Sequence, residues 1–267
     1  VYVIGERING MFRDVRKAIR KQDKAIIQDL ARRQMEAGAW ALDLNVGPAS
    51  AEEVKVLLWL VETVREVTSA PLAIDNPKWK VQSEVVPKVP GEKIINSCKA
   101  DEDALDQFVP LAVENEAYLV GLTIDQAGVP AAAEKRVELG ATIAAKAMEK
   151  GLPTDRLFID PIILPVNVSP ATPGSVLAAM QQLTILADPP PHLLLGLSNV
   201  SQGCNERELI NRTYLVMAMA AGMDSAIMDP LDTALMNTAI TTEMLQQKAI
   251  YCDSFLDAYR MRAKAAT

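Results

Sequence analysis

Asp75, Asn96, Asp160 and Asn199 each stand just past a separate short apolar run, at residues 72–74, 93–95, 157–159 and 193–197. A carboxylate accepts two parallel N–H bonds, and a carboxamide both donates and accepts. Together these groups suit recognition of a flat heterocycle whose edge alternates donors and acceptors. Buried polar atoms left unpaired are costly, so a ligand is a natural partner for them. The set fits structural zinc poorly, because zinc favours Cys and His. Carboxylates are compatible with magnesium, but Asp75 and Asp160 lack a metal-loop spacing. One Asp or Asn after a strand is commonly a turn or cap residue. Four of them after four strands carry more weight, without identifying the ligand.

The stretch Gly196-Leu197-Ser198-Asn199-Val200-Ser201-Gln202-Gly203 follows an apolar run and precedes a helix-like segment. It places Asn199 at the edge of a pocket, and Gly203 permits an unusual turn. Arg207 lies near the next helix start, where the helix dipole favours anions rather than cations. It is a candidate for a ligand carboxylate, with a solvated surface role as the alternative.

Positioning such a set requires strand ends that converge. Apolar runs at 2–4, 41–42, 72–74, 93–95, 119–122, 157–159, 193–197 and 226–228 each stop at a polar residue. Most are separated by helix-like sequence with a 3.6-residue apolar period. The pattern predicts an α/β chain folded as a TIM (β/α)8 barrel, with chemistry at the C-terminal strand ends. Helical segments are expected over 13–37 (one helix or a pair), 51–68, 78–86, 101–116, 131–150, 173–187, 207–221, 231–248 and 253–264. Ser50 and Glu53 resemble a capping box, and Thr172 is a candidate cap. The link over 161–173, with Pro161, Pro165, Pro170 and Pro173, is a stiff wall for the pocket. A doubly wound sheet is the competing architecture, but Gly5 and Gly10 do not form its glycine-rich phosphate turn.

Composition sets the outer bounds. The chain has 267 residues, 49% hydrophobic and 23% charged, consistent with one folded domain over 1–267 that includes the C-terminal helix. Net charge is −7, which argues against nucleic acid as a partner. No apolar run approaches the ~18 residues that span a bilayer, and Glu6, Arg7 and Asn9 interrupt the apolar start, so a signal peptide is not expected. Cys98, Cys204 and Cys252 are odd in number and widely spaced, as expected of reduced cytoplasmic thiols. His192 is the only histidine, so a His-rich metal site is excluded. It precedes a strand and is expected on the structural face of the barrel.

The motifs Val3-Ile4-Gly5-Glu6-Arg7-Ile8-Asn9-Gly10, Ala41-Leu42-Asp43-Leu44-Asn45-Val46-Gly47-Pro48, Asp160-Pro161, Gly196-Leu197-Ser198-Asn199-Val200-Ser201 and Tyr251-Cys252-Asp253-Ser254-Phe255 extend over nearly the whole chain. In them the chain resembles the pterin-binding methyltransferases. Within that family it is most similar to the 5-methyltetrahydrofolate:corrinoid iron–sulfur protein methyltransferases. The resemblance implies that Asp75, Asn96 and Asp160 hold the pterin ring. It also implies that Asn199 approaches N5, with Asn199 and Asp160 as the catalytic positions. Ser198, Gln202 and Arg207 are weaker candidates for pocket support or for contacts to the rest of the folate. The implied reaction moves the N5 methyl of 5-methyltetrahydrofolate to Co(I) of a corrinoid (cobalamin) supplied by a partner protein, with no iron–sulfur cluster in this chain. The implied carrier is a corrinoid iron–sulfur protein of the acetyl-CoA pathway, within one-carbon metabolism. Carriers of O-demethylation or methylamine metabolism are the alternative. A homodimer is also implied, with helices near Met217, Met219, Met236 and Met244 as candidate surfaces or core. Dihydropteroate synthesis and non-catalytic folate binding remain as other readings.

Overall fold

Each apolar run is long enough for one short strand and is followed by enough chain for a return helix, so every strand re-enters parallel to the last. The computed structural model describes residues 1–259. Its strands are β1 (Tyr2–Gly5), β2 (Ala41–Leu44), β3 (Leu72–Asp75), β4 (Lys93–Lys99), β5 (Tyr118–Leu122), β6 (Leu157–Asp160), β7 (His192–Gly196) and β8 (Ser225–Met228). They pair in sequence order, and β8 pairs with β1 to close the barrel. Every pairing is parallel. The expected eight-stranded barrel is therefore the observed fold.

The helices are α1 (Arg13–Lys21), α2 (Lys24–Glu36), α3 (Glu53–Arg65), α4 (Trp79–Val85), α5 (Glu102–Glu114), α6 (Ala133–Glu149), α7 (Thr172–Leu183), α8 (Arg207–Ala220) and α9 (Thr233–Leu245). The segment expected over 13–37 is a pair, broken at Gln22 in the left-handed region. The last expected helix is helical over 255–259, and its remainder to 264 lies outside the described residues. The capping box is not formed: Ser50 Oγ accepts from Glu52 N at 3.0 Å, and Glu52 is the residue before α3. Thr172 is inside α7 rather than before it. Among the described helices a side-chain cap is formed at α9, where Asp232 accepts from Leu235 N at 2.9 Å.

Strand parity divides the core. Ile4, Ala41, Ala73, Ile94, Val120, Phe158 and Leu194 pack together inside the barrel. Their sequence neighbours Val3, Ile95, Leu119, Leu157, Ile159, Leu193 and Leu195 belong to one outer layer against the helices. Leu42, Leu44, Leu72 and Ile74 belong to the other. Side chains alternate across a strand, so Glu6, Asp43, Asp75, Asn96, Asp160 and Gly196 are the next inward positions toward the C-terminal ends. The opposite end is plugged by aromatic rings. Tyr2 and Trp40 lie 4.8 Å apart, Trp40 and Tyr118 5.5 Å, and Phe158 stacks on His192 at 5.0 Å. His192 Nδ1 pairs with Asp224 Oδ2 at 2.6 Å, on the structural face as expected. Met219 and Met236 are core, whereas Met217 is exposed. Among the described residues, no helix is long and apolar enough to cross a membrane.

Candidate active site at the strand ends

The inward polar residues satisfy one another across strands. Asn96 Nδ2 donates to Asp43 Oδ1 at 3.0 Å, and Asn45 Nδ2 donates to Asp75 Oδ2. Asn45 Oδ1 in turn accepts from Gly47 N at 2.6 Å, fixing which edge of its amide faces Asp75. Asp75 and Asn96 are register partners on β3 and β4, so their side chains leave the sheet side by side. Asp160 Oδ1 accepts from Ile162 N at 2.7 Å, and a carboxylate has further lone pairs to offer a ligand. Asp43, Asn45 and Glu6 belong to the same layer but are absent from the candidates chosen by sequence. The signal was present, since each also stands at or just past an apolar run.

Asn199 is held differently. β7 ends at Gly196, and residues Leu197–Ser201 form a 3-10 turn. A Cβ on Gly196 would lie 2.9 Å from Asn199 Nδ2, so glycine leaves the inward position of β7 open for the Asn199 amide. Ser198 Oγ donates to Glu6 Oε1 at 2.8 Å, tying this turn to the end of β1. Arg207 braces the same turn, with Nε to Ser201 Oγ at 3.2 Å and Nη2 to Ser198 O at 3.3 Å. Gln202 is exposed, and its backbone N donates to Asn199 O at 3.2 Å. Asn199 itself is exposed at the mouth, unlike Asn96, which is buried. The proline-bearing link also contributes, because Val166 N donates to Val200 O at 2.9 Å.

Burial raises the acid groups of this layer. Burial pushes Asp160 up to about 7, against the backbone N–H groups of Ile162 and Gly196. Burial also pushes Glu6 up to about 7; the Ser198 hydroxyl opposes this and Asp229 adds to it. Asp43 is raised well above the usual carboxylate range by burial and then by the neighbouring Asp75. Asp75 is raised by burial, against the Asn45 amide. Neutral and charged forms of Glu6 and Asp160 therefore lie close in energy near neutrality, which suits groups that must match a ligand's donors and acceptors. A separate groove of about 810 Å³, lined by Glu53, Leu58, Trp59, Lys78 and Val81, lies on the helical wall away from these residues.

A family model described as pterin binding enzyme matches residues 10–229. The chain belongs to the pterin-binding enzymes. Among curated proteins of one-carbon chemistry, the methylcorrinoid:tetrahydrofolate methyltransferase of Eubacterium limosum is 32% identical over 260 residues, covering 97% of this chain and 96% of that protein. The methionine synthase of Mycobacterium leprae is 27% identical over 241 residues, covering 85% of this chain but only 20% of that much longer protein. Solved pterin-binding barrels are also similar in fold. Dihydropteroate synthase from Thermus thermophilus in complex with 6HMPPP superposes with a TM-score of 0.65 at 20% identity, covering 94% of each chain. The Coxiella burnetii dihydropteroate synthase complex with pteroic acid gives 0.68 at 14% identity, covering 92% of this chain and 93% of that one. At that identity the barrel fold itself is what is shared.

Proposed function

We infer that this protein transfers a methyl group between N5 of tetrahydrofolate and the cobalt of a corrinoid carried by a partner protein. The observation that carries this is the 32% identity to the Eubacterium limosum methyltransferase over 97% of the chain. The ring of amides and acids at the strand ends supports it, because that donor set suits a pterin edge.

In this reading Asp75, Asn96 and Asp160 hold the pterin, and Asn199 faces N5. The reduced corrinoid supplies the cobalt nucleophile. This chain's residues do the rest: they orient the pterin so that the methyl carbon lies between N5 and the open mouth, and they stabilise charge at N5. An unprotonated N5 is a poor leaving group, so a strengthening hydrogen bond or a proton there lowers the barrier. The Asn199 amide reorients to meet a changing N5 but has no acidic proton to give, so the proton comes through solvent or the surrounding network. Asp160 assists from the same layer. Ser198 and Arg207 set the height of the Asn199 turn. Gln202, exposed beside it, is available to the remainder of the folate.

The name of the Eubacterium limosum enzyme writes the transfer from methylcorrinoid to tetrahydrofolate. The motif resemblance implies transfer from 5-methyltetrahydrofolate to cobalt. One site and one transition state serve both directions. A corrinoid iron–sulfur protein is the proposed carrier. A carrier of O-demethylation or methylamine metabolism is the second reading, favoured by the direction in that name, because demethylation delivers methyl groups to tetrahydrofolate. The same proposal takes all of 1–267 as one domain, a cytoplasmic location and a homodimer. Leu209, Val216 and Met217 leave apolar surface on α8 for such a contact.

The test follows cobalt absorbance as 5-methyltetrahydrofolate is mixed with each reduced carrier in turn, and as each methylated carrier is mixed with tetrahydrofolate. Transfer with one carrier assigns the partner. Folate binding with no transfer to any carrier would reduce the protein to a folate binder. Condensation of a pterin with an aminobenzoate would move it to dihydropteroate synthesis.

A further inference from the structure

Gln82 lies on α4, is fully buried, and sends its amide nitrogen to the ends of two barrel strands. Its Nε2 is 2.7 Å from Ile74 O, 2.8 Å from Asn76 O and 3.3 Å from Asn96 O. The first two carbonyls flank Asp75 in sequence. The third belongs to Asn96 itself. One amide thus holds the backbone on both sides of one proposed pterin ligand and the carbonyl of the next.

The surrounding bonds make this clamp directional. Asn76 N donates to Asn96 O at 2.7 Å, so the same carbonyl joins the two strand ends from the other side. Asn76 Oδ1 accepts from Lys78 N at 2.9 Å, turning the chain into α4 and returning Gln82 toward the strand ends. Among the described residues, Gln82 Oε1 is buried with no hydrogen-bond partner. Carrying an orphaned buried acceptor is unfavourable. An apolar side chain would avoid it at this depth, so the amide is retained for its N–H groups. Two N–H groups spread over three carbonyls tie down the backbone on both sides of Asp75, which projects from its centre.

We propose that Gln82 is a positioning residue for pterin binding, holding Asp75 and Asn96 at the spacing and tilt that meet the ligand together. This rests on the folate reading of the site. It predicts an effect on ligand affinity beyond any effect on folding.

The experiment measures 5-methyltetrahydrofolate affinity per folded protein, by calorimetry, with thermal melts in parallel. Gln82→Met keeps length and approximate volume but removes both donors, and its affinity falls by about tenfold or more. Val85→Ala removes buried packing from the same helix with no reach to the strand ends; it lowers the melting temperature and leaves affinity as in the wild type. Gln82→Glu, should the Met variant fold poorly, restores one donor only when protonated, so its affinity relative to wild type recovers as pH falls. Wild-type affinity in Gln82→Met, or an equal affinity loss in Val85→Ala, overturns the proposal. A wild-type protein that binds no folate removes the folate reading itself, a result separable from either of these.

Discussion

Asn96, on β4, is held by a carboxylate two strands away: its Nδ2 donates to Asp43 Oδ1 at 3.0 Å. Asp43 is almost fully buried and is raised above the usual carboxylate range by burial, with Asp75 beside it adding to the rise. The unfolded chain gives up this proton near pH ~4, well before the folded chain does. Folded stability therefore falls as pH climbs above that value. Asp43→Asn keeps an acceptor for Asn96 and removes the buried charge. Its melting temperature should exceed the wild type's at about pH 8 and approach it at about pH 4. A variant less stable than wild type at the higher pH would show that the charge is compensated.

Asp160 is pushed up to about 7 by burial in the free protein. Pterin N–H donors favour its ionised form. Binding should therefore release protons below that pH, and folate affinity should rise as pH climbs to about 7 and level off above it. Calorimetry in buffers of different ionisation enthalpy reads the proton count directly. Proton uptake on binding would mean that Asp160 meets the ligand as an acid.

Asn199 is exposed and sits on a braced turn, so its side chain contributes little to folding. Asn199→Ala should leave the melting temperature nearly unchanged and slow single-turnover methyl transfer by about a hundredfold, the scale of one lost transition-state donor. Equal activity per folded molecule would remove the residue from the chemistry.

Gly196→Ala tests the same amide from behind. The new Cβ would meet Asn199 Nδ2 at 2.9 Å, and the flexible side chain must move aside. Gly196 has φ −71°, which any residue adopts, so the backbone is unstrained by the change. Slow transfer with near-normal folate affinity is the expected result, reproducing Asn199→Ala. Loss of affinity with an unchanged rate would place Asn199 in binding alone.

Arg136 is a fully buried guanidinium on α6 that reaches the chain just after Asp160. Its Nε donates to Pro161 O at 2.8 Å, and its Nη1 donates to Ser175 Oγ at 2.9 Å and Ala131 O at 3.0 Å. Arg136→Met removes these donors and leaves the carbonyl of buried Pro161 without its partner, at a cost of about 1–3 kcal/mol in chemical denaturation. A loss under about 0.5 kcal/mol, the size of an ordinary surface change, would mean that water replaces the guanidinium.

The sequence by itself determined the barrel and the inward layer. Strand length, a polar stop and a return helix are local, and parity carries Asp75, Asn96 and Asp160 inward once Ala73, Ile94 and Phe158 face the axis. Tertiary structure decided which polar group satisfies which. Asn45 with Asp75, Asn96 with Asp43 and Ser198 with Glu6 join segments 30, 53 and 192 residues apart, and no local period encodes such pairs. It also turned Ser50 and Arg207 to other partners: Ser50 bonds Glu52 N in place of a capping box, and Arg207 braces the Asn199 turn. Gln82 was invisible for the same reason. Read alone, it is one polar residue on a short helix. Its chemistry exists only where barrel closure brings α4 beneath two strand ends and leaves three carbonyls within reach of one amide.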